Sequence, residues 1–198
     1  MNFAFNEIEL PIRISRDRPI TDDELLRLSA DNRPLRLERD ANGELIVMTA
    51  TGSEGGGIET DVALELGIWA REDGRGRVFG SNTGFRLPDT SVRAADAAWV
   101  SWQSWNAVGP AERKRYAPIC PEFVVEVRSE SDRLPDLQAK MAQWIANGAQ
   151  VAWLIDPEEK SVTIYRPGDE PEHLAHPTSV QGTGPIAGFE LVTSRIWD

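Results

Sequence analysis

The stretch that most constrains this chain is residues 120–144, CPEFVVEVRSESDRLPDLQAKMAQW. Phe123, Val124, Val125 and Val127 form a run too short and too rich in valine to favour a helix, which predicts a strand buried on both faces. Glu126 stands inside that run. A carboxylate there is costly unless it is paired, protonated or bound to a cation, so Glu126 is a candidate for chemistry. Arg128 follows two residues later, and side chains two apart leave a strand on the same face, so acid and base are expected to point the same way. After a polar link, Ser131 or Asp132 is placed to cap a helix with Pro135 in its first turn. Leu137, Met141, Trp144 and Ile145 then recur at helical spacing, and Gly148 stops the run. Lys140 lies three residues after Leu137 and four before Trp144, which puts its ammonium within the apolar arc. Strand acid and inward-leaning lysine together make half of an acid and base site.

Composition limits what that site can hold. With 198 residues, 40% of them hydrophobic and 27% charged, the chain suits one globular domain with a single core. The lone Cys120 has no internal partner, and His173 and His176 are the only histidines, so a cysteine or histidine zinc cage is excluded. Any metal is held by oxygens, which means a hard ion such as magnesium or manganese. No window approaches eighteen uninterrupted apolar residues, and the amino terminus lacks a basic region followed by an apolar one. The protein is therefore expected to be cytoplasmic, with no membrane partner. The formal charge of −11 counts against polyanion binding as a bulk property. Basic residues nevertheless cluster locally at Arg128, Arg133 and Lys140, as they do at Arg71, Arg75 and Arg77 and at Arg113, Lys114 and Arg115.

Along the chain, residues 1–19 read as an arm with one short strand. Thr21 and Glu24 make a capping box and Ile20 with Leu25 a hydrophobic staple, opening a helix that ends by Asn32. Residues 35–39 and 44–49 alternate as two strands around the turn AspAlaAsnGly, a hairpin. ThrGlySerGluGlyGlyGly at 51–57 lacks the GlyLysSer or GlyLysThr ending of a phosphate loop and reads as a flexible entry to a helix. Ile58, Val62, Leu66 and Trp69 carry that helix and Gly74 ends it. Glu54 at its entry and Glu59 beside its apolar arc are both candidate acids. Short strands follow at 77–81 and 84–87. Residues 92–100 read as one strand with Asp96 at its middle, where flanking alanines leave space beside a carboxylate. The segment 101–116, with Trp102 and Trp105, is an aromatic-packed insertion. Residues 151–155 and 162–165 form a hairpin, 167–184 are polar and turn-rich, and 186–197 close the chain as a short apolar strand or tail.

The order helix, strand, strand with Asp96, strand with Glu126, helix with Lys140, strand resembles the core of the PD-(D/E)xK nuclease superfamily. More narrowly, ThrGlySerGlu at 51–54, ThrGlyPheArgLeuPro at 83–88, ValArgAlaAlaAspAlaAlaTrpVal at 92–100 and CysProGluPheValValGluValArgSer at 120–129 resemble the Uma-type restriction endonuclease family. So do AspLeuGlnAlaLysMet and TrpLeuIleAspPro, and the resemblance covers roughly 35–166. It implies one α/β (α+β) domain over 1–198: a restriction-endonuclease-like core at about 35–166, with a central mixed sheet flanked by helices. An N-terminal hairpin and extra antiparallel strands complete it, with an arm and helix over 1–34 and a C-terminal extension over 167–198. It implies a metal-dependent DNA endonuclease in which Asp96, Glu126 and the Val127 carbonyl hold Mg2+ or Mn2+, with Glu54 as a third acid. The superfamily places a lysine two residues after the second acid, where this chain has Arg128. An arginine stays protonated, so Arg128 is expected to hold the scissile phosphate and Lys140 to replace the missing lysine. Ala95 stands where the motif has proline. The partner implied is duplex DNA, and a homodimer is the simplest way to cut both strands. The competing expectation is a catalytically inactive module with this fold, its Arg128 paired to Glu126, that binds protein or nucleic acid.

Overall fold

The valine-rich strand forms where expected and every residue of it is buried: Phe123–Val127. In the computed structural model, which describes residues 11–33, 35–48 and 51–197, it lies inside a six-stranded sheet. Numbered along the chain, the strands before it are β1 (Ile12–Ile14), β2 (Arg36–Arg39), β3 (Leu45–Met48), β4 (Gly76–Gly80), β5 (Phe85–Arg86), β6 (Val92–Arg93) and β7 (Ala97–Ser101). Phe123–Val127 is then β8, followed by β9 (Val151–Asp156), β10 (Ser161–Tyr165), β11 (Glu172–Ala175), β12 (Val180–Gln181) and β13 (Glu190–Leu191). The six-stranded sheet runs β11-β10-β9-β8-β7-β4, and a second sheet runs β1-β3-β2-β6-β5. Among the strands of the described residues only β8 and β9 pair in parallel, Phe123 opposite Val151 and Val127 opposite Ile155. Parallel neighbours need a crossover, and the helix of Leu134–Ala146 supplies it.

Helices numbered in the same way are α1 (Asp22–Asp31), α2 (Ser53–Asp73), α3 (Trp102–Ala107), α4 (Pro110–Arg113) and α5 (Leu134–Ala146). The capping box of Thr21 and Glu24 opens α1 as expected. Gly74 ends α2 with φ of 72°, a left-handed turn that glycine adopts without a Cβ clash. Val62, Leu66 and Ala70 of α2 pack on one face of the large sheet against Val125, Trp153 and Ile155. Met141 and Trp144 of α5 pack on the other against Val124, Ala98 and Leu154. A third cluster, Ile20, Leu25, Leu37, Val47 and Val92, joins α1 to the small sheet. Among the described residues no helix is long and apolar enough to cross a membrane.

Four local expectations are altered. The single strand expected at 92–100 is two, because the chain leaves the small sheet after Arg93 and enters the large one at Ala97. Asp96 therefore sits at the crossing between sheets, its amide bonded to the Val125 carbonyl, and not in mid-strand. Asp132 does not cap α5, which begins at Arg133 without a side-chain cap; its carboxylate accepts from the amide and hydroxyl of Ser129 and closes the loop after β8. The turn-rich segment contains β11, an edge strand whose outward exposure removes the alternation that would have revealed it. The tail is part of the core, since Ile186, Phe189, Leu191 and Ile196 are buried with Trp153. The hairpin of β2 and β3 forms about Gly43, at φ of 83°, where a Cβ would come within 2.5 Å of Pro19. The expected last residue of its second strand, Thr49, and the first ten residues lie outside the described residues.

Candidate active site

Glu126 is 2% exposed and does not lack partners. The Lys140 ammonium lies 2.9 Å from each of its oxygens, and Trp144 Nε1 donates to Oε1 at 2.8 Å. Both partners come from α5, one turn apart, so the helix that crosses over from β8 to β9 turns its lysine and indole back on the buried acid. Lys140 also donates to the Ala94 carbonyl at 2.9 Å and lies 3.6 Å from Glu38. Burial opposes its charge, but Glu126, Glu38 and Asp96 outweigh that and raise its pKa above the ordinary value. For Glu126 burial dominates; despite the opposing charge of Lys140, and with Asp96 adding repulsion, its pKa is pushed up to about 7.

Asp96, 6% exposed, reaches the same place from the crossing between the sheets. Its Oδ2 accepts from the Val127 amide at 2.8 Å, which ties it to the end of β8, and its Oδ1 accepts from Arg36 at 3.3 Å. Arg36 and Glu38 are two apart on β2 and so share a face of that strand. Glu38 is as deeply buried as Glu126, and accepts from Arg93 at 2.8 Å and from the Ala94 amide at 3.0 Å. Arg93 in turn donates to Gln143 of α5 at 2.8 Å. The small sheet thus closes one wall of the acidic cluster. Sequence reading missed Arg36, Glu38, Arg93 and Gln143. The available signal was Glu38, a carboxylate between Leu37 and Arg39 in a predicted strand.

Burial works against the charge of Glu38, but Lys140 and Arg93, with the bonds it accepts, prevail and hold its pKa down at about 2. An acid held below its unfolded value stabilises the fold above that value and loses the contribution as pH falls. Stability should therefore decline between pH about 4.5 and 2, with up to about 3 kcal/mol from this one group. Urea denaturation across that window checks it. Glu38→Gln should flatten the slope, and an unchanged slope would remove Glu38 as its source.

These groups line a cleft of about 1050 Å³ with Arg128, Glu54 and Glu59 also on its wall. Arg128 does not meet Glu126. It lies beyond the last residue of β8 and its NH1 donates to Asp156 at 2.7 Å, with Glu158 at 3.8 Å. The pairing expected from the i, i+2 rule fails because the carboxylate at the end of β9 is nearer, and Lys140 already answers Glu126. Glu54 is exposed in the first turn of α2. Glu59, half-buried one turn on, accepts from the Thr51 hydroxyl at 2.7 Å; burial first and the charge of Asp96 second raise its pKa. Among the described residues, no three histidine, cysteine or acidic side chains close around a common point as a metal cage.

One family model matches the chain, and a solved structure shares its architecture. The Uma2 family model, described as "Putative restriction endonuclease", matches residues 22–194. A crystal structure of a "putative nuclease belonging to DUF820" from Anabaena variabilis superposes with a TM-score of 0.72 at 21% identity, covering 90% of this chain and 98% of the other. The cryo-EM structure of a DrdV–DNA complex superposes with a TM-score of 0.37 at 14% identity, over 58% of this chain and 9% of that one. None of the curated proteins matches.

Proposed function

The chain belongs to the Uma2 family, whose model, described as "Putative restriction endonuclease", spans residues 22–194, and from that premise we propose that it is a metal-dependent endonuclease hydrolysing phosphodiester bonds in duplex DNA. One observation carries the reading: Asp96 and Glu126, delivered by separate segments, lie with Lys140 on the wall of one open cleft. The donor set suits a hard cation. Magnesium characteristically takes one or two carboxylates and completes its shell with water and phosphate oxygens, so the two acids and the Val127 carbonyl suffice without a closed protein cage. Repulsion between Asp96 and Glu126, which helps to raise the pKa of Glu126, is what a cation between them would relieve.

Asp96, Glu126 and the Val127 carbonyl would hold the ion, and Glu54 stands at the rim to reach it through water. When bound, it supplies positive charge beside the scissile phosphate and makes water easier to deprotonate. Lys140 orients the attacking water and offsets negative charge developing on the phosphoryl oxygens. The Ala94 carbonyl, Glu126 and Glu38 fix its ammonium for that task. Arg128 holds the phosphate. Asp156 occupies one edge of its guanidinium, while its buried Nε has no hydrogen-bond partner. A two-fold pair of such sites would cut both strands.

Incubating supercoiled plasmid with the protein and Mg2+ or Mn2+ should give nicked and linear DNA, and EDTA should stop it. Equal cutting in EDTA, or none with either ion, would overturn the reading. One feature favours a non-cutting module instead: every oxygen of Asp96 and Glu126 already accepts a hydrogen bond within the protein. Calorimetry separates the two, since a module satisfied in this way ignores added magnesium.

A further inference from the structure

Asp96 Oδ2 is fixed by the Val127 amide at 2.8 Å, so Oδ1 is the oxygen free to take a new partner, and Arg36 covers it. Both terminal nitrogens of Arg36 approach Oδ1 at 3.3 Å, and one also reaches the Ser81 carbonyl at 3.3 Å. Well-formed charged pairs sit nearer ~2.8 Å, as Arg93 does on Glu38 and Arg128 on Asp156. Glu126, Glu38 and Glu59 add their charges around the same guanidinium, yet none of them bonds to it closely. Arg36 is therefore a cation suspended among carboxylates on a loose grip, at the cleft wall, 19% exposed.

We propose that Arg36 is a built-in counter-cation that covers Asp96 Oδ1 in the metal-free protein and yields that oxygen to an incoming divalent ion. Its displacement sets the affinity of the site for metal. The inference rests on Asp96 being a metal ligand, the reading given above. Two cations on one oxygen repel in a half-buried setting, so the longer and weaker bond is the one released. Release needs only a rotation of the Arg36 side chain, whose backbone stays paired with Met48 of β3.

Mn2+ titrations of wild type, Arg36→Gln, Arg36→Lys and Asp96→Asn, without DNA and with free Mn2+ read by electron paramagnetic resonance, test this. Arg36→Gln removes the charge and, being shorter, gives up the contact with the Ser81 carbonyl as well. It should bind Mn2+ about ten- to a hundredfold more tightly, the span expected for losing one charge-assisted bond. Arg36→Lys should show a smaller gain in the same direction, and it carries the test if melting curves show Arg36→Gln unfolded. Loss of binding in Asp96→Asn, with unchanged or weaker binding in both Arg36 variants, overturns the inference and leaves the metal site standing. Undiminished binding in Asp96→Asn removes the metal reading itself and this inference with it.

Discussion

Asp96→Asn is expected to abolish metal-dependent cleavage, by about a thousandfold or more, while leaving the protein folded. The substitution keeps shape. An asparagine oxygen can still accept from the Val127 amide, so the bond that ties the crossing between sheets to the end of β8 survives. What disappears is one of two negative charges available to a cation, and the charged partner of Arg36. The structural penalty is about 1–2 kcal/mol, because Arg36 retains Glu126, Glu38 and Glu59 as neighbouring charges. Plasmid cleavage and a thermal melt, measured on one preparation, check both halves. A variant that cuts at the wild-type rate would eliminate Asp96 from the site, whatever its stability.

Lys140→Met should be the most destabilising single change in the cluster. Methionine fills much the same volume, but Glu126 loses the ammonium that touches both its oxygens, and Glu38 loses a charge 3.6 Å away. Removing one partner of a buried ion pair costs about 3–5 kcal/mol, because Glu38 keeps a charge short of its partner and Glu126 must take up a proton. Cleavage should fall with it, since an uncompensated Glu126 takes up a proton and no longer offers a carboxylate. The pH dependence follows from the sign of the shift. Glu126 already has a pKa pushed up to about 7, above its unfolded value of 4.5, and loss of Lys140 raises it further. A raised acid stabilises the fold below the unfolded value and loses that contribution as pH rises through the folded one. The variant should therefore lag least near pH 5, where Glu126 is protonated and only Glu38 misses the ammonium, and fall furthest behind above pH 7. Equal destabilisation at both pH values would mean that charge is not the reason Lys140 is buried.

Part of this site was legible before any coordinate. Glu126 stood out because a carboxylate in a valine-rich buried strand demands a partner, and Lys140 because it interrupted the apolar arc of a helix; the two meet at 2.9 Å. Asp96 was marked by its small neighbours, although the strand around it is broken in two. Arg128 shows where such reasoning stops. Spacing says which face a side chain leaves, but not which of several acids it will find, and Asp156 comes from a strand brought alongside only by the crossover. Glu38 carried a local signal as a carboxylate in a predicted strand, but what it and Arg36 would face was out of reach for the same reason. They lie 60 and 88 residues before Asp96 and Glu126 respectively, and nothing local in a two-stranded hairpin announces that it will face either.

What the amino-acid order determined by itself is everything set by periodicity, capping and the cost of burying charge: the β8–α5–β9 unit, the capped α1, the glycine stop of α2, and the need of Glu126 for a cation. Those forces act between neighbours in the chain and leave their mark within a few residues. Tertiary structure alone decided which cation answers which acid, that the small sheet walls the cleft, and that Asp96 sits at the passage between the sheets. Those choices turn on distances between segments far apart in the chain, and a side chain a few ångströms nearer wins the pairing whatever its local pattern foretold.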